Sequence, residues 1–143
     1  RTWIRCKMAV LEIEKAITSI LKNSADVAAL VGTRVYAFRL PQNATLPAIT
    51  YHRVSTYRLI THDQTSTGLS NPRFQFNLYA NSIDVCKQMS AAVRKAFLGY
   101  QAEVGTTTKV SIYAILPESE IDIIEADLDL YYTMVDYKFS HNE

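Results

Sequence analysis

The sequence predicts an α+β domain: an antiparallel β-sheet of about four to five strands with helices packed on one face. Three observations carry that prediction. Segments whose apolar residues recur every three to four positions coexist with segments of strict alternation, so both helices and half-buried strands are present. The two kinds are grouped as helix, helix, two or three strands, helix, two strands, an order that favours helices on one side of an antiparallel sheet. The 143 residues are 48% apolar and 20% charged, with four glycines and four prolines. A chain of that size and composition makes one domain with a core large enough to stand without disulfides or metal.

The elements follow in order. From Met8, the residues Val10, Ile13, Ile17, Ile20 and Leu21 fall on one helical face, with Glu12, Glu14, Lys15 and Lys22 on the other. Asn23-Ser24 ends this helix, and Ser24 is placed to cap a second, short one through its hydroxyl. The buried stripe of that helix is Val27, Leu30 and Val31, and Gly32 is its left-handed stop. Prolines 41 and 47 favour an extended loop before a strand that starts at Ala48-Ile49-Thr50-Tyr51-His52-Arg53-Val54. Thr61 to Pro72 is almost free of apolar side chains and reads as the longest polar loop. In Arg73 to Ala80, the residues Phe74, Phe76, Leu78 and Ala80 share one face, and Arg73, Gln75, Asn77 and Tyr79 share the other. Asn81 or Ser82 caps a third helix reaching about Leu98, with Val85, Met89, Val93 and Phe97 on its stripe and Gly99 as its stop. Lys109 to Leu116 and Leu128 to Ser140 are the closing strands, the latter with Tyr131, Thr133, Val135, Tyr137 and Phe139 on one face.

Charge is distributed unevenly. Residues 1–117 carry fourteen basic and six acidic side chains, and residues 118–143 carry one basic and eight acidic, so a body of +8 ends in a segment of −7. The overall charge of +1 argues against a strongly basic nucleic-acid binder. Cys6 and Cys86 are too few and too far apart for a disulfide framework or zinc knuckle, and a reducing compartment is the expectation. No apolar run approaches the roughly 20 residues of a membrane span, and RTWIRCKMAV lacks a secretory stretch, so a soluble chain that neither is exported nor meets a membrane is expected.

Signatures of chemistry are sparse. His52, His62 and His141 lie on a strand, in a loop and at the chain end, without the i, i+4 spacing of a zinc helix. Cys86, in the first turn of the third helix, shares the spacing of Met89 and Val93 and reads as a small core residue rather than a nucleophile. The four glycines sit singly, so no phosphate cradle, nucleophile elbow or dinucleotide fingerprint is present. The carboxylates from Glu118 to Asp129 lack a calcium-loop formula and read as a solvated or partner-facing strip. The expectation is therefore no catalytic residue, no metal and no cofactor.

Spaced segments then point to a family. Val27-Ala28-Ala29-Leu30-Val31-Gly32-Thr33-Arg34-Val35-Tyr36 comes first, then Leu40-Pro41-Gln42-Asn43-Ala44 and Leu46-Pro47-Ala48-Ile49-Thr50-Tyr51. Arg73 to Ala80 follows, ahead of a helix. In their order and spacing these resemble the tail-completion, or tail-terminator, proteins of long-tailed bacteriophages, from about Met8 to the end. The resemblance implies a sheet flanked by helices, a six-membered ring and no enzymatic activity. It also implies a place at the head-proximal end of the tail tube, where the ring ends tube polymerisation and joins the tail to the head connector. The partners implied are further copies of the chain, the tail tube protein, a head-completion or stopper protein, and double-stranded DNA that passes through without sequence recognition. Residues 1–7 precede the usual start of the family, so they are read as an N-terminal arm on a single domain of residues 8–143.

Two rival readings come from other classes. One is a sheet-based nucleic-acid binder with exposed Tyr51, Tyr57 and Tyr79, which near-neutral charge disfavours. The other is a hydrolase pairing His52 or His62 with Cys86, which has no local nucleophile signature. Under the ring reading, the expected interface residues are Trp3 and Ile4 in the arm, and His62, Asp63 and Gln64 in the polar loop. Arg34, Arg39, Arg53 and Arg58 are expected near the subunit boundary, and Glu118, Glu120 and Asp122 near the channel or a ring face.

Overall fold

A computed structural model describes the backbone of residues 2–60, 66–98, 102–104, 110–125 and 130–142, and the side chains of 13–56, 69–98, 111–125 and 130–142. Helix α1 (Thr2–Asn23) and α2 (Ala25–Val31) lead into β1 (Val35–Ala37), β2 (Ala48–Ile60) and β3 (Ser66–Ala80). Helix α3 (Ile83–Phe97) follows, then β4 (Ala102–Val104), β5 (Val110–Glu125) and β6 (Leu130–Asn142). The strands form one sheet in the order β1-β2-β3-β6-β5-β4. Every pairing is antiparallel except the short parallel contact of β1 with β2.

The α+β class stands, with six strands in place of four or five. β1 and β4 were not foreseen: each is three residues long, too short to display a period. The polar loop expected at Thr61–Pro72 is mostly strand. Ser66 to Pro72 extends β3, paired through Ile60↔Ser66, Arg58↔Ser70 and Thr56↔Pro72. Here the ladder imposes strand geometry on a mainly polar run in which Ser70 and Pro72 are buried and Leu69 and Asn71 half-buried, which an apolar pattern cannot signal. Only 61–65 separates β2 from β3, and His62, Asp63 and Gln64 lie outside the described residues. β5 likewise runs past the expected end at Leu116, through the acidic stretch to Glu125. The backbone of residues 2–7 is the first part of α1, and the side chains of Trp3 and Ile4 lie outside the described residues.

The core lies between the helices and one sheet face. Phe74, Phe76 and Leu78 from β3 and Val135, Tyr137 and Phe139 from β6 meet Met89, Val93 and Phe97 from α3. Ile13, Ile17 and Leu21 of α1 and Val27 and Val31 of α2 close it, all buried. Five aromatic rings, Tyr51, Phe76, Phe97, Tyr137 and Phe139, form its centre, with the Phe76 and Phe97 centroids 5.2 Å apart and Phe97 edge-on to Phe139 at 5.4 Å. Such tilted and edge-on pairs add to the stabilisation from burial. Local signals set the helix boundaries. The Ser82 hydroxyl accepts from Val85 N–H, capping α3, whereas Ser24 occupies the cap position of α2 without a side-chain bond. Gly32 adopts φ +60° after α2, and Gly99 lies outside the described residues. Among the described residues, no helix is long and apolar enough to cross a membrane.

Candidate functional site

The residues that could act lie on the sheet, so strand register decides which of them meet. β5 places Glu120 opposite Val135 and Asp122 opposite Thr133. Both partners are buried under α3, which puts these two carboxylates on the helix-facing side of the sheet. Lys87, Ser90 and Arg94, at spacings of three and four on α3, share the helix face that overlooks them. Lys87 donates to Asp122, whose other oxygen accepts from the Thr133 hydroxyl at 2.8 Å. The Ser90 hydroxyl donates to Glu120, and Arg94 Nη2 lies 3.4 Å from its second oxygen. Glu120 and Asp122, expected near a channel or ring face, are thus tied to α3 of their own chain. Glu118 is exposed. The sequence shows the spacings, carboxylates two apart and donors three and four apart on a helix, but not the register that sets one against the other, since β5 was expected to end at Leu116.

The Asp122 carboxyl is held below its usual range by the hydrogen bonds from Lys87 and Thr133. A depressed folded-state pKa contributes stability above the unfolded value and loses it as pH falls through the folded one. Asp122→Asn is therefore expected to lower stability at neutral pH, by a small amount because the group is largely solvated, and to converge with the parent below about pH 4, where ordinary Asp protonates, so that its loss of stability on acidification is flatter. Equilibrium denaturation of both proteins between pH 3 and 7 checks this; parallel curves would count against the clamp.

Arg34, expected at the subunit boundary, has an internal task. Its Nε donates to the Pro47 carbonyl at 2.9 Å and its Nη2 to the Leu30 carbonyl at 3.3 Å, tying the end of α2 to the approach of β2. Arg39 and Arg53 are exposed on the β1–β2 side, Arg53 close enough to act electrostatically on half-buried Glu14. Arg58 is on β2, with its side chain outside the described residues. On the sheet face away from the helices, Arg73 pairs with Asp136 at 2.6 Å and the Ser119 hydroxyl donates to the same oxygen at 3.2 Å.

The rival sites do not assemble. Tyr51 is 8% exposed, packs against Phe76 and is hydrogen-bonded to Thr18 at 3.1 Å, so it is not a base-stacking platform. Tyr79 stacks on Tyr132 at 5.2 Å, and the side chain of Tyr57 lies outside the described residues. Cys86 is fully buried, its thiol directed at the carbonyls of Leu78 and Tyr131. Burial pushes that thiol up in pKa, the reverse of what a nucleophile needs. His52 lies on β2 opposite Gln75, on the sheet face away from Cys86. Among the described residues, no three His, Cys, Asp or Glu side chains converge as a metal site. A groove of about 440 Å³ between α1 and Tyr51, bordered by Glu14, Thr18 and Lys22, is shallow and open to solvent.

Comparison with known proteins identifies a family and a similar fold. The family model described as "Tail completion protein gp17" matches residues 15–139. Among solved structures, the fold is similar to a chain of the "Virion of native gene transfer agent (GTA) particle", with a TM-score of 0.72 and 17% identity. That match covers 90% of this chain and 93% of the other. No curated protein matches the sequence.

Proposed function

The chain belongs to the tail completion protein gp17 family, whose model takes in residues 15–139, and from this we propose that it closes the head-proximal end of a phage tail tube as a ring. Membership makes it a structural protein of the phage tail and a component of the virion. In our reading six copies form the ring, end polymerisation of the tube protein, and offer a surface to a head-completion or stopper protein. The ring leaves a channel for double-stranded DNA and catalyses nothing. Assembly takes place in the host cytoplasm. The first turn of α1, with Trp3 and Ile4, and the connection bearing His62, Asp63 and Gln64 are surfaces offered to these neighbours.

The observation that supports this reading is the family match across nearly the whole folded domain, which leaves no second module to supply another activity within those residues. Removal of the gene from its phage provides the test. We expect filled heads and tails that fail to join, with tails of irregular length, and recovery of joining when purified protein is added to the extract. Normal infectious yield without the protein would overturn the proposal.

A further inference from the structure

The sheet ends in two unlike edges. At one side, β1 pairs only with residues 49–51 of β2, and β2 continues beyond it to Ile60. At the other, β4 pairs only with residues 110–112 of β5, and β5 continues to Glu125. Among the described residues nothing pairs with the rest of these two edges. Unpaired strand edges are templates for another strand unless something covers them.

Exposed apolar side chains collect at these same edges. Among the described residues, seven large apolar side chains are exposed. Phe38 (68% exposed) and Val54 (48%) border the β1–β2 edge, and Tyr113, Leu116, Ile121 and Ile124 all stand on β5. Only Leu98 lies elsewhere. Charge differs between the edges: Arg39, Arg53 and Arg58 lie on the β1–β2 side, and Glu118 and Glu125 on β5.

Strand direction and level also agree. β2, β3, β6 and β5 are joined by three successive antiparallel pairings, so β5 runs opposite to β2 within one subunit. A neighbour generated by rotation about an axis along the strands keeps that relation, so its β2 would meet β5 in the antiparallel sense. Following the register across the sheet, Arg53 is level with Phe74, Tyr137 and Pro117, and Ser55 with Arg73, Lys138 and Leu116. The open stretches of the two edges therefore overlap near Arg53–Ser55 and Leu116–Glu118. Both strands carry a register shift at that level, between Arg53 and Ser55 and between Pro117 and Ser119. Pro117 has no N–H to give, so a ladder there is short and side chains supply much of the contact.

We propose that the β5 edge of one subunit docks on the β1–β2 edge of the next copy of this chain. Leu116 then lies beside Val54, Glu118 beside Arg53, and Ile121 beside β1, level with Tyr36 and two residues from Phe38. This inference rests on the ring reading and names its subunit contact. The interface is heterologous, as a closed ring requires, since one patch meets a different patch. Apolar contact supplies most of the association, and the exposed charge pairs set alignment and encounter rate.

The test uses the full chain in assembled tails, with a benzophenone amino acid placed at Leu116 or at Val54 and isotopically mixed copies to identify links between subunits. The expected result is that the Leu116 probe joins residues 52–58 of another copy and the Val54 probe joins residues 113–121. Links between copies at other segments would overturn the edge pairing while leaving the ring in place. Absence of any link between copies, with links only to other tail proteins, would overturn both. A second arm compares Leu116→Lys with Ile121→Lys added: self-association should weaken by about tenfold or more, with thermal unfolding of the monomer unchanged. Unaltered association in that variant would overturn the proposal.

Discussion

Phe76→Ala is expected to cost about 3 to 5 kcal/mol of folding stability, because it removes the ring at the middle of the core. Phe76 is fully buried on β3, with the ring centroids of Phe97, Tyr137, Tyr51 and Phe139 at 5.2, 6.0, 6.3 and 6.4 Å. Those neighbours come from α3, β6 and β2, elements held apart by the ladder and by the helix backbone, so the space left by truncation cannot close readily. Part of the cost is transfer of the ring and part is the cavity. For a domain of this size the melting temperature should fall by roughly 10 °C or more. Phe76→Leu should cost less, about 1 to 2 kcal/mol, since it retains most of the volume. Denaturant unfolding monitored by circular dichroism separates these cases, and a Phe76→Ala protein that unfolds with the parent midpoint would invert the face assignment of β3.

That face was legible because β3 is half buried. Phe74, Phe76, Leu78 and Ala80 alternate with polar residues where one side of the sheet meets helices and the other meets water. The stripe of α3 was legible for the equivalent reason, and so was the Ser82 cap, since a helix start has a local chemical requirement. β2 was harder. In Ala48-Ile49-Thr50-Tyr51 all four residues are buried, so parity is lost and Tyr51 could be assigned to the wrong side. Ser66 to Pro72 was illegible because hydrogen bonds from β2 and β6 extend the strand over residues with no alternating apolar pattern. The charged residues show the same division. The excess of acid near the C-terminus was visible, but whether Glu120 and Asp122 face a partner or their own helix depends on a register that spans some thirty residues of sequence. Arg34 differs again: its task comes from the Leu30 and Pro47 carbonyls, and backbone acceptors leave no mark in a sequence.

The turn that Arg34 braces is the site of the second large effect. Gly32→Ala is expected to destabilise the fold by about 1 to 3 kcal/mol, a cost that originates in the backbone. Gly32 holds φ +60° and ψ −119° as the chain leaves α2, a region that side chains with a Cβ rarely enter. A Cβ built there meets only the Arg34 guanidinium, at an ordinary 3.8 Å, so crowding contributes little. Relaxation is blocked on both sides. Gly32 N–H is bonded to the Ala28 carbonyl at 2.8 Å and Arg34 N–H to the Val31 carbonyl at 3.0 Å, while Val31 and Val35 are both buried. Only three residues separate α2 from β1, too few to absorb a different dihedral elsewhere. Asn, which tolerates positive φ better than other residues, should cost less than Ala, and β-branched Val more. Arg34→Ala supplies the control: it removes the two bonds to carbonyls and leaves the dihedral alone, so its loss should persist when combined with Gly32→Asn. Equilibrium unfolding of the series checks the order Gly, Asn, Ala, Val, and equal stability of Gly32→Ala and the parent would show that the turn is free to adopt another path.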